Sequence, residues 1–148
     1  MRIHLIGLIA LAAATGTSAQ TSMSPADAVA AAAAAASHGM GKRGTFEFVV
    51  RSTGSSHGHV FLNSEPNYRD PQNLSVNLDL RAVGLLTRQL GASPEDFYRG
   101  KHIAVRGTAR RVPILFTDDY GRSTGKGYFQ THVDVREPAQ IAVLSGGR

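Results

Sequence analysis

The chain contains no cysteine among its 148 residues. Thiol catalysis, zinc–thiolate sites and thiol redox chemistry are therefore excluded, and the fold must be held by its core without disulfides. His57 and His59 have the spacing of two metal ligands on one strand face, but no cluster of carboxylates accompanies them. We therefore expect no metal site and no other cofactor.

The chain also lacks a hydrophobic run long enough to cross a bilayer, which needs roughly 20 residues. Its first 19 residues instead match a secretory signal peptide, with Arg2 as the positive charge, an apolar stretch over residues 3–14, and small residues before position 20. This pattern predicts cleavage before Gln20, a periplasmic or secreted protein, and no membrane span after cleavage. Loss of Arg2 would lower the net charge from +5 to +4, a basic balance that favours anionic partners.

Residues 20–44 are rich in alanine and contain few large apolar side chains. Ser24 followed by Pro25 resembles an N-cap with proline at the first helical position, and alanine is the best helix former. We interpret residues 20–44 as a detachable linker, either a short helix over residues 25–37 or a disordered tether. Residues 45–148 are then predicted to form a single folded domain.

From residue 45 onward, short β-favouring runs are separated by turn-forming residues. The runs predict strands over residues 45–52, 59–63, 73–79, 102–111 and 128–135, with a possible short last strand over residues 141–144. Residues 81–90 have a helical period that ends at Gly91, and Ser93 begins a capped single turn. Polar loops are expected over residues 53–58, 65–72 and 112–127.

Alternation within these strands indicates which side chains form the core. The inward positions include Phe46, Phe48, Val50, Leu74, Val76, Leu78, Ile103, Val105, Gly107 and Ala109. In the order of elements, one helix follows the third strand. A five-stranded OB-fold barrel has this order, because a helix between strands three and four closes one end of the barrel. The predicted fold class is therefore mainly β, a five-stranded OB-fold-like barrel with one helix between strands 3 and 4.

Three passages carry a resemblance to a known fold family. They are VFLN at residues 60–63 followed by NLSV at residues 73–76, YRGKHIAVRG at residues 98–107, and PAQIAV at residues 138–143. Over residues 45–143 the chain resembles the small OB-fold domains found in exported bacterial proteins. The resemblance implies a fold that binds oligonucleotides, oligosaccharides or proteins, with a groove on strands two and three and on the loops after strands one and four.

The candidate binding residues are basic and aromatic. No acidic residue lies between Tyr98 and Arg111, and the loop that follows strand four adds further cations. Tyr120 in this loop and Tyr128 after it could stack on bases. The predicted ligand-binding residues are Arg99, Lys101, Arg106, Arg110, Arg111, Arg122, Lys126, Tyr120 and Tyr128. The alternative interpretation is that Arg106 and Arg110 belong to a solvated outer strand face.

These observations favour an exported, non-enzymatic binding module for single-stranded nucleic acid or another polyanion. The alternative is an envelope protein-interaction or scaffolding domain. A weaker alternative is an enzyme of the staphylococcal-nuclease type, which is also an OB-fold. Asp118 and Asp119 are adjacent in an expected loop, but no Asp, Glu and Arg arrangement of the nuclease type can be traced on the strands.

Overall fold

A computed structural model describes residues 21–145, so the predicted signal peptide and its cleavage site lie outside the described residues. The described chain forms seven strands and three helices, with a 3-10 turn over Pro138–Gln140. In chain order the elements are α1 (Pro25–Ala36), β1 (Lys42–Val49), β2 (Ser52–Ser56), β3 (His59–Asn63), β4 (Leu74–Leu78), α2 (Leu80–Leu90), α3 (Pro94–Tyr98), β5 (His102–Thr117), β6 (Ser123–Val135) and β7 (Ile141–Ser145). Within residues 21–145, no helix combines the length and the apolar character that a bilayer span requires.

All seven strands belong to one sheet. Hydrogen bonds connect six of them in the order β1-β5-β6-β4-β3-β2, and β7 pairs with β5 off this path. The pairs are antiparallel except β4 with β6, which run parallel. Within the described part of the chain, no ladder joins β1 to β2. The mainly β class is as predicted, but the sheet has seven strands instead of five and is not a closed barrel.

The strand expected over residues 45–52 is divided by a corner at Val50 and Arg51. The backbone N–H of Val50 donates to the Lys101 carbonyl at 2.9 Å, whereas that of Arg51 donates to the Asn63 carbonyl at 2.9 Å. The chain therefore leaves β5 at Val50 and joins β3 at Arg51. As a result, part of the loop expected over residues 53–58 forms β2.

The core has the composition that strand alternation predicts. Phe46, Leu74, Val76 and Val105 are fully buried, and the intervening side chains of β1 and β5 are more exposed. Burying one large apolar side chain contributes about 1.5–3 kcal/mol, so these positions dominate the stability of the sheet. The other predicted core side chains Phe48, Val50, Leu78, Ile103 and Ala109 are also buried.

Two helices, not one, fill the connection between β4 and β5. Asp79 caps α2 by accepting from the backbone N–H of Ala82 at 2.8 Å, and Gly91 ends it with φ of 66°. Gly91 was the predicted stop, because glycine adopts the left-handed conformation without a Cβ clash. Ser93 then caps α3 by accepting from the backbone N–H of Asp96 at 3.2 Å, as the sequence suggested.

The alanine-rich segment forms a helix that packs against the sheet. Ser24 caps α1 as predicted, by accepting from the backbone N–H of Asp27 at 3.2 Å. Ala28 and Ala32 are both fully buried in the core cluster. Small side chains let the helix approach the strands closely, so it needs no large apolar stripe. Its packing is that of an integral layer rather than a detachable tether.

The long polar loop expected over residues 112–127 is instead a β-hairpin. β5 continues to Thr117, β6 begins at Ser123, and residues 118–122 form the turn. The Asp118 carboxylate organises this turn by accepting from the backbone N–H groups of Tyr120 and Arg122, at 2.9 and 3.0 Å. The hydrogen bond from the Arg122 backbone lowers the pKa of Asp118. Backbone pairing therefore sets the structure of this segment despite its polar composition.

Replacing Gly107 with alanine should lower the free energy of unfolding by about 1–3 kcal/mol, the usual effect of overpacking a core. A Cβ at this position would lie 2.7 Å from Cγ1 of Val133, a fully buried side chain. Denaturant unfolding followed by circular dichroism measures the change. Gly84→Ala is the matched control, because its Cβ would meet nothing within 4 Å inside α2, and alanine there should stabilise by about 0.5–1 kcal/mol. Equal stability of the Gly107 variant and the wild type would contradict this packing.

Candidate functional site

A groove of about 590 Å³ lies on the outer face of the sheet. Its floor is formed by β3, β4 and β6, and its walls by β2, by the loop between β3 and β4, and by the β5–β6 hairpin. Five aromatic side chains line it: Phe61, Tyr68, Phe116, Tyr128 and His132. We call this the aromatic groove.

Strand periodicity places the floor residues on one face. Tyr128, Gln130 and His132 are spaced two residues apart on β6, so they point to the same side of the sheet. Gln130 joins them, because its amide nitrogen donates to the Tyr128 hydroxyl at 2.6 Å and its amide oxygen lies 2.7 Å from Nε2 of His132. The Phe61 ring lies 5.9 Å from the His132 ring, centroid to centroid. In the floor, hydrogen bonds therefore join Tyr128 to His132 through Gln130, and the Phe61 ring packs beside the His132 ring.

The hairpin supplies one wall of the aromatic groove. Ile114 and Phe116 from β5 face the groove, and the Phe116 ring lies 5.8 Å from the Tyr128 ring at an interplanar angle of 32°. Phe116 keeps 40% of its surface exposed. An exposed, tilted ring beside a second ring offers a flat surface on which a planar ligand can stack.

The loop between β3 and β4 supplies the opposite wall. The Arg69 guanidinium carbon lies 5.5 Å from the Tyr68 ring centroid and 5.9 Å from that of Tyr128, so Arg69 reaches from the loop to the hairpin. Its Nε also donates to the Tyr68 hydroxyl at 3.2 Å. One cation therefore contacts a ring of the loop wall and a ring of the groove floor.

A buried asparagine holds this loop in place. The Asn73 side-chain nitrogen donates to the Tyr68 carbonyl and to the Asn63 side-chain oxygen, both at 3.3 Å. Its side-chain oxygen accepts from the Glu65 backbone N–H at 3.1 Å and from the Ser64 hydroxyl at 3.4 Å. Asn73 is only 3% exposed, so these bonds form away from water. They tie the backbone of the loop at Glu65 and Tyr68 to the buried Asn73.

The charge of the groove is low and positive. Among the described residues that line it, Arg69 is a cation and none is Asp or Glu, whereas β2 contributes small hydroxyl side chains. Burial lowers the pKa of His132, an effect that the nearby Asp134 partly opposes, so His132 is neutral at pH 7. The lining combines ring faces, neutral hydrogen-bonding groups and one fixed positive charge.

The lowered pKa of His132 predicts a pH-dependent stability. The His132 ring binds a proton more readily in the unfolded chain than in the folded chain. The contribution of neutral His132 to the free energy of unfolding is therefore complete above the unfolded pKa of about 6.5, and it is lost as the pH falls through the lower folded pKa. We expect thermal unfolding of the wild type to shift to lower temperature between about pH 7 and pH 5. His132→Gln should flatten this decline, and His38→Gln, at an exposed position, should leave it unchanged. Parallel profiles for the His132 variant and the wild type would contradict the assignment.

The structure brings only part of the predicted set to the groove. Tyr128 lines it directly. Arg110 is the cross-strand partner of His132 in the β5–β6 register, and Lys126 lies two residues before Tyr128, so strand alternation places both on the groove face. The Nη2 of Arg99 donates to the Thr53 hydroxyl at 2.6 Å, beside the β2 wall.

The other predicted residues contact separate parts of the surface. Lys101 donates to the Phe97 carbonyl and lies 4.1 Å from the Phe97 ring, and Arg106 donates to the Ala139 carbonyl at 3.0 Å. Arg122 is paired with Asp118 at 2.9 Å in the hairpin turn. The remaining two residues are Arg111, which stacks on Phe129 on the side of the hairpin away from the groove, and Tyr120, which is 84% exposed at its turn. The basic run in the sequence is thus not one patch.

Sequence reasoning missed Phe61, Tyr68, Arg69, Phe116 and His132 as groove residues. Phe61 could have been found, because it lies between the inward residues Val60 and Leu62 and must point outward. Tyr68 and Arg69 carried no signal, since a loop sequence does not show which way it folds. Among residues 21–145, no three His, Asp or Glu side chains group closely enough to hold a metal ion.

Two solved structures share this fold. One is a Leishmania major Friedlin protein described as an aspartyl-tRNA synthetase, with a TM-score of 0.50 and 11% identity over 95% of this chain. The other is the aspartyl-tRNA synthetase from Entamoeba histolytica, with a TM-score of 0.50 and 11% identity over 97% of this chain. The chain spans only 24% and 25% of those proteins. No protein-family model matches the chain, and no curated protein matches it. At this identity the likeness establishes a shared fold.

Proposed function

We propose that this chain is a non-enzymatic OB-type binding module that holds a short segment of single-stranded nucleic acid in the aromatic groove. The observation that carries the proposal is the convergence of ring faces from β3, β5, β6 and the loop between β3 and β4 on one groove, whose described lining has a cation and no carboxylate. Single-stranded nucleic acid fits this lining because every base has a face that stacks on aromatic rings, whereas its backbone is attracted to positive charge.

The strand order supports the OB-type assignment. If β1 and β2 are taken as one strand bent at Val50, the five strands of an OB-fold correspond to β1–β2, β3, β4, β5 and β6. In that fold, ligands bind across the face of strands two and three, between the loops after strands one and four. The aromatic groove occupies this place, and the hairpin takes the position of the last of those loops. The two similar structures carry names that refer to tRNA, which agrees with this ligand class.

The experiment that tests the proposal is fluorescence anisotropy of labelled single-stranded oligonucleotides at increasing salt. We expect binding at about 50 mM salt that weakens as salt rises, because phosphate contacts release counterions. The slope should be shallow, since few cations border the groove. Absence of binding at low salt would overturn the proposal. Binding to an envelope protein that survives nuclease treatment would favour the protein-interaction alternative, and calcium-dependent degradation of the oligonucleotide would favour a nuclease.

We also propose that the protein is exported, on the basis of its first 19 residues. Expression of the full chain in a bacterial host should give a processed protein whose first residue is Gln20. Intact-mass measurement of the periplasmic and culture fractions tests this. Ala19→Arg should block processing, because the residue before the cleavage site must be small, and Ser22→Arg, beyond the site, is the control. An unprocessed chain confined to the cytoplasm would contradict export.

A further inference from the structure

We propose that the hairpin carries a second stacking surface on its far side, and that a nucleic acid strand longer than the groove folds over the hairpin onto it. This surface, the hairpin back, consists of Arg111, Pro113, Leu115 and Phe129. The inference rests on the proposed function, because the same ligand would occupy both faces. In this proposal the hairpin separates two parts of one nucleic acid strand, one part on each of its faces.

The alternation of β6 separates the two faces. Phe129 lies between Tyr128 and Gln130, both of which line the groove, so it points to the opposite side. Further along β6, Thr131 and Val133 point to the same side as Phe129 and are buried. The hairpin back is therefore the core-facing side of the sheet continued beyond the body of the protein.

The hairpin back exposes two large apolar side chains. Leu115 retains 63% of its surface and Phe129 retains 50%. Leu115 pairs across the ladder with Gly127, which has no side chain to cover it. A Cβ at Gly127 would overlap the Ile114 carbonyl oxygen, so the backbone geometry keeps this position bare.

The charge of the hairpin favours an anionic occupant with flat rings. The Arg111 guanidinium carbon lies 3.6 Å from the Phe129 ring centroid, which orients its planar group over the ring. Bases stack on both aromatic rings and guanidinium planes. No residue of β5 is acidic, and none of β6 is acidic up to Val133. The two acidic residues of the hairpin, Asp118 and Asp119, lie in its turn.

An open edge connects the two faces. The ladder between β1 and β5 ends at the pair Lys42 and Ala109, whereas β5 continues to Thr117. No described strand therefore flanks this edge of the hairpin beyond Ala109. Only the thickness of the two-stranded hairpin separates its two faces, with Phe116 and Tyr128 on the groove side and Arg111 and Phe129 on the back. A flexible nucleic acid strand can pass around this edge.

The test compares oligonucleotides of about 4 and about 16 nucleotides, the range of site sizes known for OB domains. Phe129→Leu, which keeps apolar bulk but removes the flat ring, should weaken binding of the long oligonucleotide about 5-fold and leave binding of the short one unchanged. Arg111→Gln should lower the salt slope of the long oligonucleotide by about 1, with no change for the short one. Circular dichroism of both variants should match that of the wild type.

The outcomes separate this inference from the proposed function. If the wild type binds both oligonucleotides and neither variant changes the long one, the hairpin back is not a binding surface and the groove remains one. If both lengths lose affinity equally, the variants act on the groove, and the inference is again overturned. If the wild type binds neither length, the proposed function itself fails.

Discussion

Replacing Tyr128 with alanine should weaken the binding of a short single-stranded oligonucleotide by about 5- to 150-fold, since each base–aromatic stack contributes about 1–3 kcal/mol. Tyr128 is central to the groove because its ring lies beside Phe116, its ring face is near Arg69, and its hydroxyl accepts from Gln130. Removing it takes away one stacking face and loosens its three neighbours. Anisotropy titrations with an oligonucleotide of about 4 nucleotides measure the loss.

Two variants act as controls for Tyr128. Tyr128→Phe keeps the ring and should bind nearly as well as the wild type. Phe129→Ala removes the adjacent ring on the other face of β6 and should not alter binding of the short oligonucleotide. If both alanine variants weaken binding equally, the groove is not the site and the hairpin acts only through its overall structure.

Replacing Asn73 with alanine should lower the free energy of unfolding by about 3 kcal/mol. The substitution removes four hydrogen bonds, and a polar group that loses its partner away from water costs about 1–3 kcal/mol. The Asn63 side-chain oxygen still accepts from the Ser75 hydroxyl, and water entering the loosened loop will compensate part of the loss. The partners are Asn63, Ser64, the Glu65 backbone N–H and the Tyr68 carbonyl. Because Tyr68 is also displaced, affinity for the oligonucleotide should fall in the folded variant. Chemical denaturation and anisotropy of the same sample measure the two effects.

Gln72→Ala is the matched control for Asn73, because Gln72 is the preceding residue and is exposed. Surface substitutions of this kind usually change stability by less than about 0.5 kcal/mol. Should Asn73→Ala prove as stable as Gln72→Ala, the loop would be held by other contacts, and the account of the Tyr68 wall would be wrong.

The core could be predicted from the sequence because strand alternation is a local property. Phe46, Val76 and Val105 stand at alternating apolar positions whose immediate neighbours along the chain are polar or small, and all three are buried. Two helix ends were also predicted, since Ser93 as a cap and Gly91 as a stop act within one turn of chain. The cap of α2 was missed, because Asp79 was assigned to the preceding strand. The number of strands could not be predicted, because the corner at Val50 depends on which strands the backbone pairs with.

The hairpin illustrates what local patterns miss. Its residues include Gly121, Ser123, Gly125 and Lys126, which favour turns, yet pairing with β5 extends β6 back to Ser123. Hydrogen bonding between strands is a long-range property that overrides weak local preference. Once the hairpin forms, it brings Phe116 and Tyr128 together, a contact that neither segment predicts alone.

The basic run shows why proximity in sequence does not define a site on a strand. Arg110 and Arg111 are neighbours, but alternation places the first on the groove face and the second on the hairpin back. Arg106 points outward like Arg110, yet its guanidinium is bound to the Ala139 carbonyl. The residues that converge on the groove come from β2, β3, β4, β5, β6 and a loop, so only the assembled sheet reveals them.

Binding of single-stranded nucleic acid in the aromatic groove is tested most directly by an NMR titration of isotope-labelled protein with a short single-stranded oligonucleotide. We expect amide shift changes clustered at Phe61, Tyr68, Arg69, Tyr128 and His132, with residues of α1 unaffected. Shift changes confined to helices or to the surface around Arg106, or none at saturating oligonucleotide, would contradict it.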